Sequence, residues 1–312
     1  MTGQSPPVRD HQAPALPELL SRWQDDLASW AIPEHISAAV TESPWVLPRQ
    51  VFARRADSVA DQPGGPSFEK AWAALDPPGS VLDVGSGAGA ACLPLIPRAT
   101  ELTAVDSDSG MLDLLGQRAA ERGLNAERVL GRWPRLAPQV AVADVVTCHH
   151  VLYNVPELGQ FLTALTGHAR RLVVVETTAT HPLTSLNELW LRFHGLRRPN
   201  RPAAADVLAI LRAMGLSFGH TRWQRSGGPD YPSFAELTDV TRRRLCLPPD
   251  RAAEVADALV TAGVDPAHPV DLGSSGRDVL TIWWNGSAQN LAAVTPAGLG
   301  QETSKCTDDK TA

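Results

Sequence analysis

The chain has 312 residues, 43% hydrophobic and 20% charged, with 28 basic and 34 acidic side chains and a net charge of −6. That is enough for one large domain or a domain with an appendage. The acidic balance argues against a protein whose main task is gripping nucleic-acid phosphates, and no apolar run approaches the roughly 20 residues of a membrane span. Of the basic residues only Lys70, Lys305 and Lys310 are lysine. A Gly-Lys-Ser/Thr phosphate loop, a Schiff-base lysine in the core and a Tyr-x-x-x-Lys pair are thereby excluded. Cys92, Cys148, Cys246 and Cys306 lack C-x-x-C or Cys/His ligand spacing, so neither a disulfide framework nor a zinc knuckle is expected. The start, MTGQSPPVRD, has no apolar stretch behind a basic residue, and the expectation is a soluble, cytoplasmic protein.

In chain order, residues 1–15 are polar and proline-rich and are expected to lack fixed structure. Leu16, Leu19, Leu20, Trp23, Leu27 and Trp30 then recur at the spacing of an amphipathic helix. A short helix is predicted after Pro33 and another over about 49–60. A further helix is predicted after the Asp61-Gln-Pro-Gly-Gly-Pro breaker, with Ser67 as its cap. Residues 16–77 therefore form a helical prelude. From Ser80 short β-branched runs alternate with helical stretches, the pattern of a parallel sheet covered on both faces. Strands are predicted near 80–84, 101–105, 127–130, 142–148, 171–176, 217–224 and 278–284, with helices between them, including one at about 203–214. An insertion with two helical patterns, within 233–262, separates the last two strands, and 286–312 is a polar tail.

The segment Val81-Leu-Asp-Val-Gly-Ser-Gly-Ala-Gly-Ala90 runs a strand into a turn with three alternating glycines, suited to close backbone approach to a ligand and to N–H groups at the start of a helix. Gly85, Gly87 and Ala90 also satisfy the dinucleotide pattern G-x-G-x-x-A, with Asp106 where a ribose-binding acid is expected. Asp83, two residues before Gly85, favours a cationic ligand over a pyrophosphate.

VLDVGSGAGA, then TAVDSDSGML, then ADVVTCHHVLYNV resemble the successive motifs of the class I S-adenosylmethionine-dependent methyltransferases, over about 78–285. The resemblance implies a Rossmann-like α/β fold, a seven-stranded, mostly parallel sheet in the order 3-2-1-4-5-7-6 with helices on both faces, here with an N-terminal helical cap. It implies S-adenosylmethionine as cofactor. By the same resemblance Asp83 organises the loop and the methionyl ammonium, Gly85, Ser86, Gly87 and Gly89 line the methionine and ribose, and Asp106 accepts from the ribose hydroxyls. Ser107 and Met111 flank the adenine, and His149 lies where a backbone carbonyl meets the methionyl group. Many relatives carry an acid after the third strand. Gly131-Arg132-Trp133 has none, which leaves the adenine to backbone groups or to Trp133. The competing structural readings are a plain turn for the loop, a helix cap for Asp106 and core packing for Met111.

The acceptor belongs outside the carboxyl ends of the strands near the switch point, here the fourth and fifth. His149, His150 and Tyr153 follow the fourth, and Glu176 and His181 follow the fifth. His150 is the first candidate for a base, with His149, Tyr153 and His181 beside it; packing or backbone hydrogen bonding is the alternative for each histidine. No metal site is expected. The absence of Asn/Asp-Pro-Pro-Tyr/Phe after the fourth strand weakens a reading as a base methylator, so a small-molecule acceptor is expected. An RNA or protein methyltransferase docking through Arg197–Arg201, a non-catalytic cofactor-binding subunit and an NADP-dependent oxidoreductase are the alternatives. The prelude and the inserted helices serve as a lid over the acceptor or as a homodimer surface.

Overall fold

The computed structural model describes residues 14–286 apart from 39, 42, 46, 226–230, 271 and 273–277. The segments expected to lack structure, and with them Cys306, Lys305 and Lys310, lie outside the described residues except at 14, 15 and 286. Seven strands, β1 (Gly79–Val84), β2 (Ala99–Asp106), β3 (Ala126–Leu130), β4 (Ala143–His149), β5 (Ala169–Thr178), β6 (Phe218–Gln224) and β7 (Asp278–Asn285), form one sheet. Their order is β3-β2-β1-β4-β5-β7-β6. Neighbours pair in parallel except for β7, which runs antiparallel to β5 and β6. This is the sheet expected from the sequence, and it brings the carboxyl ends of β1, β2, β4 and β5 to one edge.

The helices are α1 (Leu16–Ala28), α2 (Glu34–Ser37), α3 (Arg49–Asp61), α4 (Pro66–Ala74), α5 (Ser109–Glu121), α6 (Leu158–His168), α7 (Asn187–His194), α8 (Ala204–Ala213), α9 (Phe234–Arg244) and α10 (Ala252–Thr261). Alternation along the strands divides the core into two layers. Leu82, Val84, Val146, Cys148, Val173 and Val175 pack with Trp23 of α1, Phe161 of α6 and Val207 of α8. Val81, Leu102, Val145 and Val174 face Ala56 of α3, Ala71 of α4 and Leu115 of α5. A third cluster, built from Ile36, Val51, Trp190, Leu237, Leu245 and Leu259, joins α2 and α3 of the prelude to α7 and the inserted α9 and α10.

Three local expectations change. No α-helix follows the glycine loop: Pro94 and Pro97 restrict Leu93–Arg98 to a 3-10 segment, and only a short 3-10 turn at Ala137–Gln139 separates β3 from β4. Ser67 does not cap α4, because it lies inside the first turn behind Gly65 and spends its hydroxyl on the sheet. Asp108, not Asp106, caps α5, its carboxylate accepting from the backbone of Gly110 and Met111.

The end of α1 is tied down by its tryptophans. Trp23, 3% exposed, donates its indole N–H to the Val155 carbonyl at 2.8 Å, and Trp30 donates to the Arg201 carbonyl at 2.6 Å. Arg198 donates to the carbonyls of Ala31 and Trp30 just beyond the helix, where a cation suits the helix dipole. Trp23→Ala is expected to lower unfolding free energy by about 3–5 kcal/mol, read by urea denaturation; Trp23→Phe, which removes chiefly the hydrogen bond, should cost about 1–3 kcal/mol.

Candidate active site

Asp83 sits on β1 with no exposed surface. Its Oδ1 accepts from the Thr147 hydroxyl on β4 at 2.9 Å, while Oδ2, equally buried, has no partner. Burial raises the carboxyl to about 6, against the opposing effects of the neighbouring Cys92 thiol and the Thr147 hydrogen bond. The turn that follows uses positive φ at Gly85, Gly87 and Gly89. A Cβ on Gly85 would lie 2.3 Å from Val151 Cγ2 and one on Gly89 would lie 2.8 Å from Leu93 Cγ, whereas at Gly87 it would meet nothing within 4 Å. Gly85 and Gly89 therefore serve close packing, and Gly87 presents the loop's open side.

The loop's amides are largely spent within the protein. Gly85 and Ser86 donate to the Val105 carbonyl at 2.8 and 3.1 Å, Gly87 donates to Asp106 Oδ2 at 2.8 Å, and Gly89 donates to the Ser86 carbonyl at 2.9 Å. Asp106 Oδ1 accepts from the Asp108 amide at 2.9 Å, so each of its oxygens keeps a lone pair. Ser86 Oγ, like Asp83 Oδ2, is buried without a partner. Two such atoms at one turn match a ligand that carries donors and positive charge, and they fit the ammonium-bearing end of S-adenosylmethionine.

The remaining cofactor candidates are spread out. Ser107 and Arg132 are exposed. Met111 packs in the core on the buried face of α5. Trp133, also in the core, packs edge to face on His168 with ring centroids 4.7 Å apart, and its buried Nε1 has no partner.

At the ends of β4 and β5 the candidates converge. His150 has φ +61 and donates its amide to the Glu176 carbonyl at 2.7 Å, and its Nε2 is 2.9 Å from Glu176 Oε1. Arg225, just past β6, approaches the same pair: its Nη2 is 2.6 Å from His150 Nε2 and bonded to Glu176 Oε1. Ser67 donates to the other oxygen, Oε2, at 2.6 Å. Burial alone would raise the Glu176 carboxyl, but His149, the hydrogen bond from His150 and the Arg225 guanidinium hold it well below its usual range. Nε2 of His150 thus faces partners of opposite kind: Glu176, which only accepts, calls for a proton there, and Arg225, which only donates, calls for a lone pair. Burial and Arg225 push the His150 pKa down despite Glu176, leaving the ring neutral at pH 7. His149 is lowered to about 4, chiefly by burial, and its buried Nε2 has no partner.

Tyr153 and His181 pack against each other. His181 stacks on Trp30 at 3.9 Å between centroids, meets the Tyr153 ring edge-on at 5.8 Å, and accepts from the Leu183 amide through Nδ1 at 3.3 Å. Burial lowers its pKa to about 3, so it stays neutral, and burial holds the Tyr153 phenol protonated. Tyr153, Thr177, Thr178 and His181 line a small cavity of about 10 Å³ with Trp23 and Val207. Among the described residues no group of three or more His, Cys, Asp or Glu could hold a metal ion.

His150 and Glu176, both candidates from the sequence, are joined here by Ser67, Arg225 and Thr281, which the sequence did not connect to them. Thr281 is paired with Glu176 in the antiparallel β5–β7 register, a signal available only once the strand order is known.

Residues 81–171 match the family profile described as a methyltransferase domain. With the strand order and the glycine turn above, the match makes this segment a methyltransferase domain, with S-adenosylmethionine as its cofactor. No curated protein matches the chain. Similar solved structures include magnesium protoporphyrin IX methyltransferase from Synechocystis PCC 6803 with bound S-adenosylhomocysteine, 23% identical, covering 57% of this chain and 78% of that one with a TM-score of 0.42. A plantazolicin methyltransferase complex is 15% identical, covering 87% and 97% of the two chains with a TM-score of 0.40. A cyclopropane-fatty-acyl-phospholipid synthase-like protein from Lactobacillus casei ATCC 334 is 13% identical, covering 81% and 98% with a TM-score of 0.46.

The buried Asp83 sets a stability cost that is separable from binding. Its carboxyl titrates at about 6 when folded and at 3.8 in the unfolded reference, so stability falls as pH rises between these values. Asp83→Asn should remove that fall and make the ligand-free protein more stable above about pH 7, by up to about 3 kcal/mol, while weakening S-adenosylhomocysteine binding at least about tenfold. Denaturation curves at two pH values and calorimetry check both halves.

Proposed function

We propose that the protein transfers a methyl group to a small-molecule acceptor seated over the ends of β4 and β5, with His150 as the proton acceptor. The observation that carries this reading is the pairing of two sites at one sheet edge: unpartnered Asp83 Oδ2 and Ser86 Oγ beside β1, and the His150–Glu176 pair beside β4 and β5. Asp83 and Ser86 would hold the methionyl end of the cofactor along the open side of Gly87, and Asp106 has the free lone pairs to accept from ribose hydroxyls. Bound there, the cofactor supplies an electrophilic methyl group on a sulfonium. His150 takes the acceptor's proton at Nδ1, and the Glu176 carboxylate stabilises the imidazolium that results. Tyr153 and His181 bound the acceptor as neutral groups and exclude water.

Two features favour a small acceptor. The third core cluster unites the prelude with α9 and α10, and Arg244 at the end of α9 acts electrostatically on both Tyr153 and His181, which supports a lid over this edge. The Arg197–Arg201 stretch offers little to a nucleic acid: Arg198 is buried against Trp30 and Trp190, and Arg201 pairs with Asp26 and Asp206. Among the described residues no helix is long and apolar enough to cross a membrane.

The test uses methyl-labelled cofactor with a panel of small oxygen and nitrogen nucleophiles. His150→Ala should lower turnover by about 10²–10⁴-fold and leave S-adenosylhomocysteine affinity unchanged. Unchanged turnover removes His150 as the base. Salt-sensitive labelling of RNA or protein, with no small acceptor modified, overturns the small-molecule reading.

A further inference from the structure

We infer that Ser67 and Thr281 are positioning residues: with Trp223 they form a one-way chain of hydrogen-bond donors that holds Glu176 as a carboxylate and thereby favours the Nε2-protonated tautomer of His150 over the one that Arg225 would select. The inference rests on the reading of His150 as proton acceptor and concerns side chains remote from the reacting atoms.

The direction of the chain follows from which groups can donate. The Trp223 indole is a donor only, and it gives its N–H to Thr281 Oγ1 at 2.9 Å. Thr281 lies 2.6 Å from Ser67 Oγ, and Ser67 Oγ lies 2.6 Å from Glu176 Oε2. With Trp223 supplying a proton at one end, Thr281 is free to donate to Ser67 and Ser67 to donate to Glu176. Reversing the central bond would leave Ser67 facing a carboxylate lone pair to lone pair. At the opposite oxygen, Oε1, the donor-only Arg225 converges with Nε2 of His150, which Arg225 also approaches at 2.6 Å, and a charged Glu176 draws the imidazole proton to Nε2. Donors therefore reach Glu176 from both sides, and no acceptor is offered for a carboxylic proton.

The parts come from four elements. Ser67 is 2% exposed, Thr281 0% and Glu176 4%, so water does not substitute for any of these bonds. Gly65, at φ +86, makes the arrangement accessible: a Cβ there would lie 2.8 Å from the Trp223 ring, and the close turn brings the first turn of α4 down onto β7. Because an indole cannot accept a proton, the chain ends at Trp223 and is no relay. It acts as an electrostatic brace, in which each hydroxyl is polarised toward the carboxylate. Its effect on His150 is specific: a Glu176 that accepts from Ser67 is less basic, while remaining charged enough to demand the Nε2 proton. The other charged or titratable groups bearing on the pair are Arg225, Arg55 on α3 and His149 on β4.

Nitrogen-15 NMR of histidine-labelled full-length protein tests this without acceptor or cofactor. In the wild type, the His150 signals should report a neutral ring protonated at Nε2 at pH 7. Ser67→Ala deprives Glu176 of one donor, makes it more basic, and should raise the His150 titration midpoint by about half a pH unit or more. Thr281→Val, isosteric but without the hydroxyl, should move it in the same direction, and Thr281→Ser should restore the wild-type value. If Ser67→Ala does not fold, the Thr281 pair decides. A midpoint and tautomer unchanged in the hydroxyl-deleting variants that fold, or a shift that Thr281→Ser does not reverse, overturns the inference. S-adenosylhomocysteine binding by the wild type separates the two claims: binding with unmoved His150 signals sinks the brace alone, whereas absent binding sinks the proposed function itself.

Discussion

The structure depends on placing an ionisable carboxyl where water cannot reach it. Asp83 occupies the last buried turn of a central strand, flanked by β2 and β4, and it is inaccessible because both sheet faces are covered there. Desolvation of a carboxylate costs several kcal/mol unless donors replace the water. The Thr147 hydroxyl supplies part of the replacement, and one oxygen is left open. The glycine turn, the close approach of Val151 and the Gly87–Asp106 hydrogen bond hold that opening in place. That opening is where the proposed function seats the cationic end of the cofactor.

Glu176 is the counterpart, and the comparison shows how environment assigns different states to two carboxyls on the same face of one sheet. Both are desolvated. Asp83 has few donors and its pKa rises; Glu176 collects Ser67, His150 and Arg225 and its pKa falls. One takes up a proton close to neutral pH, and the other is a fixed anion beside His150. The sheet order explains why they share one face: β1 and β4 are neighbours, β4 and β5 are neighbours, and β7 inserts beside β5 to pair Thr281 with Glu176.

The fold was readable because each strand announced itself locally, by β-branched runs at β1, β4 and β5 and by the late DVLTIWW segment at β7. The turn glycines were readable for the same reason. What local pattern could not convey was partnership across 100 residues or more. Ser67 has the sequence signature of a helix cap, yet its hydroxyl is directed at Glu176, 109 positions away. Likewise, Arg198 has the signature of an exposed basic cluster and instead closes the end of α1. The helix expected after the glycine loop fails for a local reason that was visible, the Pro94 and Pro97 pair, which outweighed the general alternation of strand and helix.

The central claim is that the open valence at Asp83 is the seat of the cofactor's cationic end. Calorimetric titration with S-adenosylhomocysteine from about pH 7.5 to about pH 5 tests it directly. Since the ligand must displace the proton that Asp83 takes up below about 6, the account predicts one molecule bound per chain and an affinity that falls as pH drops through that value. Absence of binding, or an affinity indifferent to pH across the range, would contradict it.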